Sequence, residues 1–293
     1  MWFFLAIGSA LIYSLRSILE KRFLRDTNPY ILALAVRLFA LPLFFLPFIM
    51  GAAAWPDLST ISMQFWLVVL VVACISTPLE MIFFYKALKT EEVSYVAPLL
   101  GLSPVVTALF GALFFGEYPS LLGVLGMLLI IFALYTLNVH RQQAHFLDPF
   151  RYLWNNKAFK YILLMILSYS LGILLDKFAI GATDIYFYSL VNYLFVSVTL
   201  LVIASFKAKG QLKVLRANFA QFALIGLIVA SYTWLRFAAI GQGNAGYVSA
   251  VLATSVLFSV IMGVVFFSEK NLQRKLLVSA IILVGLALIK IYG

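Results

Sequence analysis

The sequence has little of the charge that a water-soluble protein carries on its surface. Only 11% of its 293 residues are charged, whereas 64% are hydrophobic. A soluble domain carries roughly 25% charged residues, so most side chains here must face lipid or other apolar helices. The scarcity of charge excludes an ordinary soluble domain and predicts an integral membrane protein with several crossings.

Cysteine and histidine are almost absent as well. Cys74 is the only cysteine, which excludes an internal disulfide and a thiolate metal cluster. His140 and His145 are the only histidines and both lie in a polar connector, so we expect no metal site and no other cofactor. Intramembrane hydrolysis needs a serine–histidine pair, two aspartates or a metal set. Because the apolar runs hold no histidine, we expect no enzymatic activity.

Ten apolar runs are long enough to cross a hydrocarbon core about 30 Å thick, which takes about 20 residues per helix. We call them spans 1 to 10, and they cover residues 2–22, 29–50, 65–88, 93–115, 119–139, 159–180, 184–206, 217–239, 245–267 and 272–291. Strands are implausible, because open sheet edges cannot lie in lipid and the runs do not alternate. The predicted fold class is all-α, with ten transmembrane helices.

The chain contains two copies of one unit. Residues 95–117, YVAPLLGLSPVVTALFGALFFGE, return 152 positions later as YVSAVLATSVLFSVIMGVVFFSE, and YSLRSILEK at 13–21 returns as YSLGILLDK at 169–177. Since both motifs recur in the same order, the chain is a tandem repeat. We expect a first five-helix repeat at 1–139, a polar connector at 140–158 and a second five-helix repeat at 159–293.

Lysine and arginine are concentrated in the connectors after the odd-numbered spans. These connectors hold sixteen of the twenty-one basic residues: Lys21, Arg22, Arg25, Lys86, Lys89, Arg141, Arg151, Lys157, Lys160, Lys207, Lys209, Lys213, Arg216, Lys270, Arg274 and Lys275. Basic residues mark cytoplasmic loops, so the bias predicts both termini outside, and it explains the net charge of +10 without nucleic acid. Residues 1–13 hold no basic residue, so we expect no cleaved signal peptide. An odd number of spans per unit predicts an inverted repeat.

Ionisable side chains inside the spans are costly and are therefore candidates for function. Arg37 and Glu80 each lie about 12 Å from the same membrane face, and Arg16 lies about 9 Å from it. In a functional interpretation the three share one pocket, where an arginine receives a substrate carboxylate and Glu80 exchanges protons. In a structural interpretation Arg16 pairs with Glu20 and Arg37 with Glu80.

Other polar and aromatic side chains complete the candidate substrate-binding set. Besides Arg16, Arg37 and Glu80, the set contains Tyr85, Tyr95, Asn192, Tyr232, Trp234 and Tyr247. Tyr232 and Trp234 are suited to stack on a flat or apolar part of a substrate, although aromatic residues near span ends also anchor helices at the interface. Tyr232 stands at the repeat-equivalent position of Glu80.

Two further features predict local geometry. Pro78 removes a backbone donor in the middle of span 3 and predicts a kink there. Glu117 and Glu269 precede spans 5 and 10, and we interpret both as helix caps.

The stretch FFYKALKTEEVSYVAPLLGLSPVVTALFGALFFGE at 83–117 resembles the third-to-fourth-span signature of EamA-type carriers, which belong to the drug/metabolite transporter superfamily. The Tyr-x-Ala-Leu turn at 85–88, Ser103-Pro104 and Gly116-Glu117 carry the resemblance, and LAVRLF at 34–39 is similar to the family's second span. The resemblance implies ten helices and a central cavity lined mainly by spans 1, 3, 4, 6, 8 and 9. It also implies movement of small metabolites across the cytoplasmic (inner) membrane. Such carriers are usually described with both termini inside, the opposite of what the charge pattern predicts.

The expected function is alternating-access export of a small metabolite such as an amino acid or a related carboxylate, with or without proton coupling. Arg16, Arg37 and Glu80 together carry one surplus positive charge, which suits an anionic group on the substrate. The alternatives are a facilitative, multidrug or nucleotide-sugar-type carrier of the same fold and a scaffold that transports nothing. The expected partners are the small-molecule substrate and the lipid bilayer, with the protein as a monomer or homodimer.

Overall fold

The computed structural model describes residues 1–24, 26–90, 102–138, 157–255, 257–258 and 272–292. Helices are the regular structure of this part of the chain, and no strand occurs in it. Six helical segments of the described residues are long and apolar enough to cross a membrane, and three shorter apolar helices accompany them. The prediction of an all-α membrane protein is confirmed, while the count of ten membrane-crossing helices stays a prediction.

Each long helix of the described residues lies in one of the spans, and spans 4 and 9 are described only in part. In the first half they are Trp2–Leu24 (span 1), Pro29–Leu38, Leu41–Phe44 and Leu46–Ile49 (span 2), Met63–Val71 and Thr77–Thr90 (span 3), Ser103–Phe115 (span 4) and Leu121–Asn138 (span 5). In the second half they are Lys157–Ala182 (span 6), Ile185–Lys207 (span 7), the short connector helix Lys213–Ala217, Phe219–Gln242 (span 8), Ala245–Ala253 (span 9) and Leu272–Tyr292 (span 10).

Prolines explain where spans 2 and 3 depart from straight helices. Pro42 and Pro47 each stand in the first turn of a new short helix, so span 2, expected as one run, is broken twice. In span 3 a π-helical turn, Val72–Ser76, comes directly before Thr77–Thr90. Pro78 has no N–H for the carbonyl of residue 74, which lies inside that turn. The π-helical turn thus lies next to Pro78, while the kink itself stays a prediction.

The two halves pack together in pairs of spans. Span 1 packs on span 8 and span 3 on span 6, whereas span 2 packs on span 7, span 4 on span 9 and span 5 on span 10. If the two repeats are exchanged, so that span 1 takes the place of span 6 and so on, the pair of spans 1 and 8 becomes the pair of spans 6 and 3. The pairs 2 and 7, 4 and 9, and 5 and 10 remain the same. The contacts between the halves therefore follow an approximate two-fold relation.

Large apolar side chains remain exposed along the helices. Leu109, Leu125, Leu128, Val198 and Leu227 are each between 46% and 55% exposed. A soluble protein rarely leaves so many large apolar side chains uncovered, whereas lipid covers them in a membrane protein.

Candidate functional site

A cavity lies between the two halves, and its walls come from spans 1, 3, 4, 6, 8 and 9, with span 2 adding one side chain. Its empty volume, counted with the open mouth, is about 940 Å³. Among the described residues, four charged side chains line it: Arg16, Arg37, Glu80 and Arg236.

Arg16 is held by its own helix. Its Nε donates to Glu20 Oε1 at 2.6 Å, one turn further along span 1. Glu20 is only 2% exposed and is not part of the cavity wall. The Arg16 guanidinium also lies 5.2 Å from the Tyr13 ring centroid and 5.4 Å from that of Tyr232, within the range of a cation–π contact. The structural pair predicted for Arg16 is present, and the side chain still faces the cavity.

Arg236 is held by a network from two other helices. Its Nη2 donates to Asp176 Oδ2 of span 6 at 3.0 Å. The Tyr188 hydroxyl of span 7 donates to the other oxygen of Asp176, and Asn192 Nδ2 donates to the Tyr188 oxygen at 3.0 Å. Asp176 is 4% exposed and Asn192 is 2% exposed, so this network lies behind the cavity wall and fixes the position of Arg236.

Arg37 and Glu80 differ from these pairs. No ion pair joins them, and neither has an ion-pair partner among the described residues. Arg37 Nε donates to the Met81 sulfur at 3.4 Å, and its guanidinium lies 4.5 Å from the Tyr193 ring centroid. The structural pair predicted between Arg37 and Glu80 is therefore not formed. One guanidinium and one carboxylate line the same cavity without compensating each other by direct contact.

Aromatic and apolar side chains form most of the remaining wall. They are Tyr13, Met81, Phe84, Tyr85, Met165, Tyr169, Tyr232, Leu252 and Ala253. The rings of Tyr13 and Tyr232 contact each other across the two halves, with centroids 5.1 Å apart. Ser103, Ser249 and Ser255 add hydroxyl groups. Such a wall, apolar with a few convergent polar groups, is typical of a small-molecule site.

Glu117 follows the end of the span 4 helix and does not line the cavity. It pairs with Lys177 of span 6, which also donates to the Gly243 carbonyl at 2.7 Å. Glu117 Oε2 accepts the Ala245 N–H at 2.8 Å, so it caps span 9. The predicted cap function is present, but for a helix of the other half. Span 5 is capped instead by Ser120, whose Oγ accepts the Gly123 N–H at 3.0 Å.

The predicted substrate-binding residues divide into three groups. Five line the cavity: Arg16, Arg37, Glu80, Tyr85 and Tyr232. Three do not line it: Asn192, Trp234 and Tyr247. Tyr95 lies outside the described residues, as does Glu269.

The residues that do not line the cavity have other contacts. Asn192 belongs to the network behind Arg236, and the Trp234 ring contacts Phe44 edge-on. The Tyr247 hydroxyl accepts the Ser120 N–H at 2.7 Å, where it joins spans 5 and 9. No group of three or more His, Cys, Asp or Glu side chains suited to a metal ion occurs in the described part of the chain.

Sequence reasoning left out three prominent residues of the wall, Arg236, Tyr13 and Tyr169. A signal existed for the two tyrosines, because they are the first residues of the repeated motifs YSLRSILEK and YSLGILLDK. Arg236 lies near the end of the span 8 helix, Phe219–Gln242, and the sequence alone does not show which way its side chain points. Its long side chain and the Asp176 partner bring its guanidinium to the cavity.

Comparisons with known proteins agree with this architecture. The chain is similar to a solved structure described only as "Crystal structure of protein", with a TM-score of 0.77 and 14% identity over 100% of this chain and 99% of the other. At that identity the likeness shows the fold alone. No curated protein matches the sequence.

A family of membrane carriers matches nearly the whole chain, in two segments, residues 1–139 and 156–291. The match covers both repeats and agrees with the apolar helices and the cavity between them. The protein is thus a multi-pass membrane transporter of small molecules, and it belongs to the EamA-like transporter family.

Proposed function

We propose that the protein exports an amino acid or a related carboxylate by alternating access through this cavity, across the cytoplasmic (inner) membrane. The observation that carries the proposal is the pair of uncompensated charges on the cavity wall, Arg37 and Glu80. The direction and the membrane rest on the family resemblance and not on the site.

The chemistry of the two charges suits an α-amino acid. Arg37 offers a planar fork of donors that matches a carboxylate in a bidentate arrangement. Glu80 is an acceptor for the ammonium group of the same substrate. The aromatic and methionine side chains of the wall would cover the apolar part of the ligand. A zwitterion would then leave no charge unpaired in a water-poor cavity, where unpaired charges are costly.

Proton coupling enters through Glu80 in this proposal. A carboxylate that has no fixed cationic partner is free to exchange a proton between one half of the transport cycle and the other. Protonation would remove the ammonium acceptor and favour release of the substrate, so substrate and proton would occupy Glu80 alternately. This competition would make the protein an exchanger of protons for substrate.

Glu80→Gln tests the coupling in the purified full-length protein, reconstituted in proteoliposomes with radiolabelled amino acids. We expect accumulation driven by a pH gradient to be lost, while exchange of labelled for unlabelled substrate persists. The reason is that a glutamine still accepts a hydrogen bond but cannot titrate.

Glu80→Asp keeps a titratable group and serves as the matched control, which should retain gradient-driven accumulation. If Glu80→Gln protein accumulates substrate against its gradient as well as wild type does, Glu80 is not the coupling group. The carrier is then a facilitator driven by the substrate gradient alone. Absence of saturable flux for every amino acid and carboxylate tested would refute the substrate class itself.

A further inference from the structure

The positive charges of the cavity wall are balanced from behind it. Three guanidinium groups line the cavity, those of Arg16, Arg37 and Arg236, but among the described residues only one carboxylate does, that of Glu80. Glu20 and Asp176 lie outside the wall and contact Arg16 and Arg236 at 2.6 Å and 3.0 Å. When Glu20 and Asp176 are counted together with Glu80 and the three arginines, this cluster of described residues holds three anions and three cations.

We infer that Glu20 and Asp176 determine which net charge a substrate must carry, although neither contacts the cavity. The inference rests on the proposed function, since it concerns the selectivity of the same carrier. A buried charge that lacks a partner is costly, so binding favours a ligand that leaves the cluster balanced. With both carboxylates present that ligand is net neutral, such as a zwitterionic amino acid. With one of them neutralised it is a monoanion.

A comparison of the two repeats favours a role in charge balance. If the repeats had simply duplicated one ion pair, both of its partners would recur. The repeated motifs align Glu20 with Asp176, but Arg16 with Gly172. The arginine that Asp176 compensates comes instead from span 8. Each half thus places one carboxylate at the same position behind the wall. Glu20 balances an arginine of its own helix, whereas Asp176 balances an arginine of span 8.

Asp176 can be neutralised without leaving a gap. Its two oxygens accept from Tyr188 and Arg236, and an asparagine in the same place keeps the size and one acceptor oxygen. Asp176→Asn therefore removes one negative charge with little change of shape. Glu20→Gln does the same in the other half.

The test uses purified full-length protein in proteoliposomes and pairs of probes that differ by one charge at nearly equal shape. The pairs are L-glutamine with L-glutamate, and 4-carbamoyl-L-phenylalanine with 4-carboxy-L-phenylalanine. The readout is the ratio of kcat/KM for the anionic member to that for the neutral member. We expect wild type to prefer the neutral member, and Asp176→Asn and Glu20→Gln each to raise the ratio at least about tenfold, because a unit charge within about 12 Å acts by at least that much at an effective dielectric constant of about 20.

Two further variants separate charge from folding. Asp176→Asn combined with Arg236→Gln restores the balance and should bring the ratio back toward wild type, which a structural role for Asp176 does not predict. Asp184→Asn removes a carboxylate that caps span 7 outside the cavity, and asparagine caps equally well, so its ratio should stay at the wild-type value.

The outcomes distinguish the inference from the proposed function. A wild type that prefers the anionic member, or variants that carry the neutral probe with an unchanged ratio, overturns the inference alone. Wild-type protein that carries no member of either pair refutes the proposed function, and the inference falls with it.

Discussion

At the scale of single residues, the site depends on which charges have a partner within the protein. Arg16 and Arg236 each contact a buried carboxylate, whereas the contacts of Arg37 are a thioether and an aromatic ring. A thioether is a weak acceptor and the ring holds the guanidinium by its face. Arg37 is therefore held in place while its charge stays available to a ligand.

Substitution of Arg37 measures that availability. We expect Arg37→Gln to raise the KM for transport at least about tenfold, because a charge-assisted hydrogen bond contributes roughly 1.5–3 kcal/mol. Arg37→Lys should fall between Arg37→Gln and wild type, since it keeps the charge and loses the planar fork. Initial rates of uptake in proteoliposomes give the comparison.

Arg216, exposed in the connector helix, offers the matched control for Arg37. Arg216→Gln should leave KM unchanged. An equal effect of Arg37→Gln and Arg216→Gln would mean that the change at position 37 acts through the general charge of the protein and not through the site.

At the scale of helices, glycines decide how closely the repeats approach each other. A Cβ on Gly126 of span 5 would lie 2.7 Å from the Gly285 carbonyl oxygen of span 10, and one on Gly285 would lie 2.8 Å from the Gly126 oxygen. Both backbones thus meet at one point. Interfaces between membrane helices use small residues for this purpose.

Gly126→Ala should therefore separate spans 5 and 10. We expect a loss of about 1–3 kcal/mol in the free energy of unfolding, the usual cost of forcing extra atoms into a packed interface. The measurement is thermal or denaturant unfolding of the purified protein in detergent.

Gly181→Ala is the control for this prediction, because a Cβ there would meet nothing within 4 Å. Gly181→Ala should leave the free energy of unfolding unchanged or slightly higher, because alanine allows the unfolded chain fewer conformations than glycine does. Equal losses in both variants would contradict close packing at the crossing of spans 5 and 10.

At the scale of the whole molecule, the two halves meet through repeat-related pairs of spans, and the cavity lies where they meet. Polar contacts join the halves at one end as well, because Glu117 of the first half contacts Lys177 and the Ala245 N–H of the second. Alternating access would require the halves to move against each other, so these contacts would have to open.

The orientation of the whole molecule is testable by labelling. The distribution of lysine and arginine predicts that the connector holding Asp57 is outside and that the connector holding Lys209 is in the cytoplasm. Both residues are exposed, and Cys74→Ser provides a background without thiols. An impermeant thiol reagent added to intact cells should modify Asp57→Cys, and should modify Lys209→Cys only after permeabilisation. The reverse pattern would show that both termini are in the cytoplasm.

Much of the site could be predicted from local spacing. Glu20 follows Arg16 by four residues, so the two meet on any helix, and the structure has the pair. Helical rise also placed Arg16, Arg37 and Glu80 at similar depths, and all three line the cavity. Depth does not give the rotation of a helix about its axis, which explains why the predicted contact between Arg37 and Glu80 is not formed.

The sequence by itself determined the membrane class, the repeat and the charges that lie within the apolar runs, because hydropathy and periodicity are properties of the chain alone. Only the tertiary structure decided that Arg236 reaches the cavity, that Asn192 stands behind Asp176 and that Glu117 caps span 9 and not span 5. These three results depend on contacts between residues of different helices and on the face that a helix turns to its neighbours. The packing of all the helices together sets such contacts, and no single span contains that information.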